Sequence, residues 1–219
     1  MSDSVYTQLL NLACGAFLLA AVTVLWRREL AWIIRIFAFQ GLALAAIPAL
    51  LGIHAGRWDL LAVAAGIGAL RAGVLPHLMR RALAASGETR ETQPVVNVAA
   101  SLLTAAALTL LAYAVSRPLV ELEPSPATRA LPVGLAVVLI GFFVLVTRRR
   151  ALSQVVGFLL LDNGITAVAF LATSGVPLIV ELGVSFDVLL AVLVLQILTT
   201  RMRAAFGTTD IDDLRELHD

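Results

Sequence analysis

The sequence predicts an all-α integral membrane bundle of about seven transmembrane helices. Three observations carry this. Sixty per cent of the 219 residues are apolar and only 14% are charged, and the mean hydropathy is +0.94, well outside the range of water-soluble domains. The apolar residues fall in repeated runs of about 20, the length that crosses a hydrocarbon core of about 30 Å at 1.5 Å per residue. Those runs lack the period-two alternation of a membrane β-barrel.

The spans are expected at about 5–26, 30–53, 58–78, 96–116, 130–147, 151–173 and 177–200. The first begins almost at once and lacks a basic leading segment, so it is expected to span and not to act as a cleaved signal. Arg27-Arg28, Arg80-Arg81, Arg148-Arg149-Arg150 and Arg201/Arg203 fall in alternate connections. The positive-inside rule then places the N-terminus outside and the C-terminus in the cytoplasm. The connection near 82–95, polar and holding Gly87 and Pro94, reads as a hinge between two groups of helices. The tail 207–219 is acidic, with Ile211, Leu214 and Leu217 three residues apart, and reads as a short amphipathic docking helix.

Trp26-Arg27-Arg28 lays over Thr147-Arg148-Arg149, each ending one span and opening the next. The chain therefore divides into a first three-helix unit (1–81), a stretch of linker, fourth span and outside loop (82–129), a second three-helix unit (130–206) and the tail (207–219). Both copies start outside, so the repeat is parallel, unlike the inverted repeats of many secondary transporters. In this alignment Gly66 stands opposite Asp187 and Gly41 opposite Asp162.

Function is expected where charge survives inside a span, because each such group costs about 2.5–3.5 kcal/mol on insertion scales. Asp187 lies near the middle of the seventh span, Asp162 near the middle of the sixth beside Asn163, and Arg71 near the middle of the third. Two mid-span carboxylates point to a proton or cation path, with Arg71 as counter-charge or relay. Glu181 is six residues before Asp187 and on a different face. His77, Arg35 and Gln40 complete the set, with Arg35 close enough to an interface to snorkel. The alternative is that Asp187, Asp162 and Arg71 only lock helices together, with Asn163 and Gln40 as interhelical hydrogen bonders. Cys14 is the single cysteine, so no disulfide within the chain and no cysteine-ligated metal is expected. No nucleotide loop or hydrolytic triad is present, and no nucleic-acid partner is expected.

From Arg148 onward the chain resembles subunit K of bacterial respiratory complex I. Gly157 and Asn163 match the ends of that family's second-helix motif, Asp187 with 188–196 its third-helix acid, and 210–217 its acidic tail. The place of its second-helix acid is Leu159 here, and Asp162 lies nearly one turn later. The longer layout is similar to component E of hydrogenase-4 and formate hydrogenlyase type complexes. That likeness is densest over 160–188, through Asp162-Asn163-Gly164, Pro177-Leu178, Glu181-Leu182-Gly183-Val184 and Asp187-Val188-Leu189.

The resemblance implies a non-catalytic subunit of a complex I-like oxidoreductase in a bacterial-type cytoplasmic membrane. Its implied partners are antiporter-like membrane subunits and hydrogenase or quinone-module subunits. Iron–sulfur or nickel–iron centres would reside in those partners, and no metal or cofactor in this chain. Asp187 and Asp162 would exchange protons as hydration changes, with Arg71 modulating their proton affinity. A redox-independent antiporter or inorganic-carbon uptake subunit, a standalone transporter and a purely structural assembly subunit stand as alternatives.

Overall fold

The computed structural model describes residues 2–86, 96–148 and 151–173, together with Val192. These residues form an all-helical bundle with six helical spans long and apolar enough to cross a membrane. Helices are the expected outcome, because hydrocarbon offers no hydrogen-bond partners and a helix satisfies its backbone internally. The first two spans are α1 (Asp3–Trp26) and α2 (Leu30–Ala55). The third is composite: α3 (Trp58–Ile67), a π-helical segment (Gly68–Val74) and α4 (Leu75–Ser86). The others are α5 (Val98–Leu122), α6 (Pro126–Thr147) and α7 (Ala151–Thr173). The seventh predicted span apart from Val192, residues 87–95 of the hinge expected at 82–95, and the acidic tail lie outside the described residues; residues 82–86 of that hinge are helical.

Helix ends depart from the sequence expectation in ways local chemistry explains. The third span was expected to stop near 78, but its helix runs on to Ser86. Leu75 and Met79 are buried while His77, Arg80 and Arg81 are exposed, so charge ends the apolar stretch without ending the helix. The outside loop expected over 117–129 shrinks to residues 123–125. Arg117 donates through Nε to Glu121 Oε1 at 2.9 Å, an i,i+4 pair that carries α5 past Pro118. At the start of α6, Ser125 Oγ accepts from the Thr128 N–H and Thr128 Oγ1 from the Ser125 N–H, with Pro126 next to the cap.

The π segment has an identifiable cause. Pro76 lacks an N–H, and its ring crowds the carbonyl four residues back, so a regular α-helix would be strained there. Widening the turn ahead of it relieves this clash, and π turns of this kind recur at functional sites.

The most intimate helix pair is α6 against α7, and glycine makes it so. A methyl group added at Gly157 would lie 2.6 Å from the Leu145 backbone nitrogen, one at Gly164 2.5 Å from that of Val138, and one at Gly134 2.9 Å from Val168 Cγ2. Gly141 meets the Leu161 backbone in the same way. Along α6 the seam reads Gly134, Val138, Gly141, Leu145; along α7 it reads Gly157, Leu161, Gly164, Val168. Each glycine on one helix faces a bulky residue on the other, in antiparallel order and heptad spacing. Close backbone approach of this kind substitutes for the hydrophobic effect, which gives no drive to helix association in lipid. A second such approach fixes α2 to the third span, since a methyl group at Gly41 would lie 2.8 Å from the Arg71 backbone carbon and oxygen.

The glycine seam yields a direct test. Gly141→Ala and Gly164→Ala each place a methyl group against backbone that cannot yield by side-chain rotation. Each is expected to destabilise the fold by about 1–3 kcal/mol, read as a lower unfolding midpoint in detergent. Gly15→Ala, where an added methyl meets no heavy atom within 4 Å, is expected to leave the midpoint unchanged.

Candidate functional site

Arg71 is the central residue of the span Trp58–Ala84, with thirteen residues on either side. About 20 Å of helix separates it from each end, and its side chain is enclosed by protein. It is 0% exposed, the largest fully buried side chain among the described residues. The bundle therefore has to solvate a guanidinium, and it does so with one face of α7.

Arg71 Nη1 donates to Asp162 Oδ2 at 2.5 Å in a buried ion pair. The same nitrogen donates to Asn163 Oδ1, and Nη2 donates to Thr166 Oγ1 at 3.0 Å. Asp162, Asn163 and Thr166 follow the i, i+1, i+4 spacing that brings side chains to one side of a helix. The network continues into α2, where Asn163 Nδ2 donates to Gln40 Oε1 at 3.0 Å. Three spans that are far apart in sequence are thus joined near their middles.

Donor logic orients the amides. Arg71 has no acceptor, so Asn163 must turn its Oδ1 toward the guanidinium, which leaves its Nδ2 to face Gln40. Gln40 must then present Oε1 to Asn163, and its own Nε2 has no partner among the described residues. One cation thereby sets the polarity of two amides on two helices. Gly41 is the condition for the arrangement, because only a residue without a side chain lets the Arg71 backbone sit directly on α2.

Of the sequence-predicted residues, the structure brings Arg71, Asp162, Asn163 and Gln40 together and leaves two others apart. Arg35 is exposed and stacks over Trp32 at 5.6 Å. His77 is exposed on α4. Asp187 and Glu181 lie outside the described residues. Sequence reasoning did not single out Thr166, although its position one turn after Asp162 was a usable signal, nor Gly41 as a site residue. No group of three His, Cys, Asp or Glu side chains that could hold a metal occurs among the described residues.

Among the described residues, the site is an Arg71–Asp162 ion pair set among neutral amide and hydroxyl dipoles. Removing one member of a buried pair costs far more than removing both, because the survivor is left as an uncompensated charge. Arg71→Met is therefore expected to cost about 3–5 kcal/mol. The double variant Arg71→Met/Asp162→Leu is expected to recover most of that loss. Thermal unfolding of the three purified proteins in one detergent checks the ordering, and an additive double variant would contradict the direct pairing.

No family model matches the chain, and no solved structure does. Over 220 aligned residues, covering 100% of both chains, it is 53% identical to Uncharacterized protein Rv0085 of Mycobacterium tuberculosis. It is also 26% identical, over 211 residues, to Hydrogenase-4 component E of Escherichia coli and of Shigella flexneri, covering 96% of this chain and 98% of theirs. The buried network and the six spans thus belong to a protein whose similarity to those relatives runs nearly end to end. The chain is a member of the same family as Uncharacterized protein Rv0085 and is similar throughout to Hydrogenase-4 component E.

Proposed function

We propose that this chain is a non-catalytic membrane subunit of a hydrogenase-like complex, in which the Arg71–Asp162 pair takes part in proton or cation translocation. The observation that carries the reading is a buried Arg71–Asp162 ion pair held midway along two spans, in a chain similar over nearly its whole length to Hydrogenase-4 component E. A charged pair at that depth is expensive to maintain, and intramembrane ionisable residues of this kind mark ion pathways.

The mechanism follows from what competes for the carboxylate. While Arg71 donates to Asp162, the carboxylate's negative charge is compensated. When the guanidinium withdraws, Asp162 becomes a buried charge without compensation, and it binds a proton or attracts a cation. Return of Arg71 expels that proton. The π segment supplies the place where such movement is cheap, since its turn is already wider than the α-helical norm. Asn163 and Thr166 would hold the guanidinium during the exchange, and Gln40 would couple its position to α2.

On sequence grounds, Asp187 and Glu181 of the seventh span would continue the path, whereas Arg35 and His77, exposed and apart from the network, would not line it. The partners in this reading are antiporter-like membrane subunits and a hydrogenase or quinone module, which would carry any iron–sulfur or nickel–iron centre. The N-terminus would lie outside and the C-terminus in the cytoplasm, as the arginine distribution requires.

The test is to tag the N-terminus, purify in mild detergent and identify co-purifying proteins by mass spectrometry. Recovery of antiporter-like subunits with a nickel–iron-type large subunit is the expected result. A chain recovered alone and monodisperse would overturn the reading, and antiporter-like subunits without redox partners would replace it with a cation-antiporter assignment. In whatever complex still assembles, Asp162→Asn is expected to abolish most of the coupled ion movement per complex, measured with a pH- or sodium-sensitive dye in vesicles.

A further inference from the structure

The turn between α1 and α2 carries a second group of arginines, distinct from the buried site in depth and in chemistry. Arg27 Cζ sits 5.4 Å from the ring centroid of Trp26 and 5.2 Å from that of Trp32, so one guanidinium bridges indoles from two helices. Arg35 Cζ lies 5.6 Å from the Trp32 ring centroid. Trp26 is 61% and Trp32 42% exposed, and Arg27, Arg28 and Arg35 are exposed with them. The single acidic neighbour, Glu29, is exposed and forms no ion pair among the described residues. The ring faces hold the Arg27 and Arg35 side chains in place, while the N–H forks form no hydrogen bond or ion pair among the described residues.

Below these cations the surface changes character in one direction only. Trp32, Arg35, Phe39 and Leu42 follow i, i+3, i+7, i+10 spacing, which makes one continuous stripe along α2. Phe39 and Leu42 are 51% and 58% exposed. From Trp32 to Leu42 is ten residues, about 15 Å of helix, which is half of the roughly 30 Å hydrocarbon core. The stripe is therefore one leaflet long, with cations and indoles at one end and bare hydrocarbon at the other.

We propose that this face is a binding site for an anionic glycerophospholipid. The headgroup phosphate is received by the Arg27 and Arg35 forks, and an acyl chain lies along Phe39 and Leu42. Charge and length select this occupant. Among the described residues at this turn, Arg27, Arg28 and Arg35 stand against Glu29, which calls for an anion; planar guanidinium forks suit phosphate oxygens, and the apolar stripe has the length of one acyl leaflet. Tryptophan at such a level is the usual anchor at the membrane–water boundary.

The full chain carries its own reporter, since Trp26 and Trp32 flank the site and the third tryptophan, Trp58, opens the span at its other end. In a Trp58→Phe background, reconstituted into phosphatidylcholine, brominated phosphatidylglycerol is expected to quench the remaining fluorescence well beyond brominated phosphatidylcholine at equal mole fraction. Each arginine near a membrane surface contributes about fivefold in anionic-lipid affinity. Arg35→Gln is therefore expected to weaken the preference about fivefold and Arg27→Gln/Arg35→Gln about thirtyfold, with helicity by circular dichroism unchanged. Arg35→Lys, which keeps the charge, retains more of the preference than Arg35→Gln, and added salt weakens the wild-type preference. Equal quenching by the two brominated lipids in the wild-type chain would overturn the proposal, as would a preference that survives the double substitution. Protection of both tryptophans from either lipid would overturn it too, by showing that protein covers the face.

Discussion

A guanidinium that cannot reach water organises the centre of this molecule. Arg71 lies thirteen residues from both ends of its span, and every polar group around it can be understood as an answer to that position. Asp162 compensates the charge, Asn163 and Thr166 take further N–H donors, and Gln40 satisfies the amide that Asn163 turns away from the arginine. Isolated polar residues would each be costly in hydrocarbon; as a connected set they share one desolvation cost.

The network also depends on residues without side chains. Asp162, Asn163 and Thr166 are presented by α7, whose position is set by the glycine seam with α6. Arg71 is presented by the third span, whose approach to α2 is set by Gly41. These contacts involve backbone on at least one side, so they leave little freedom to slide or rotate. That rigidity lets three side chains of α7 converge on one guanidinium from a neighbouring span. The π segment is the exception, a wide turn at the very residue the rest of the bundle holds, and it confines any adjustability to the arginine's own backbone.

Much of the architecture is legible in the sequence because lipid is a demanding solvent. Apolar runs of spanning length admit only helices, and the six described spans fall where the runs do, with differences confined to helix ends. The ends differ where charge interrupts an apolar run: Arg80-Arg81 and Arg117 end apolar stretches but not helices, since arginine is a good helix former. The individual polar residues were legible for the same reason as the spans, being improbable in lipid. Their connections were not. Nothing in the one-dimensional pattern says that Gln40 would meet Asn163, because that contact depends on how α2 and α7 cross. Thr166 escaped notice because threonine is unremarkable in a transmembrane helix until a donor is found one turn away. The π segment is encoded by Pro76, yet its effect appears several residues upstream.

The two kinds of arginine in this chain show how depth decides chemistry. Arg35 lies five residues into α2, about 8 Å from the start of the helix, where a long side chain can lie on an indole and keep its charged end near water. Such a cation needs no protein partner and keeps its hydrogen-bonding capacity for something outside the bundle. Arg71 has no such exit, so its capacity is spent inward on Asp162, Asn163 and Thr166 of α7. The same residue type therefore becomes a surface that can recruit an anion in one place and a structural charge held by an acid in the other. A variant that moved Arg35 a turn deeper would have to acquire an acid as well. The pairing of Arg71 with Asp162 is thus a requirement of depth, and any ion-translocating role must work by changing that pairing and cannot dispense with it.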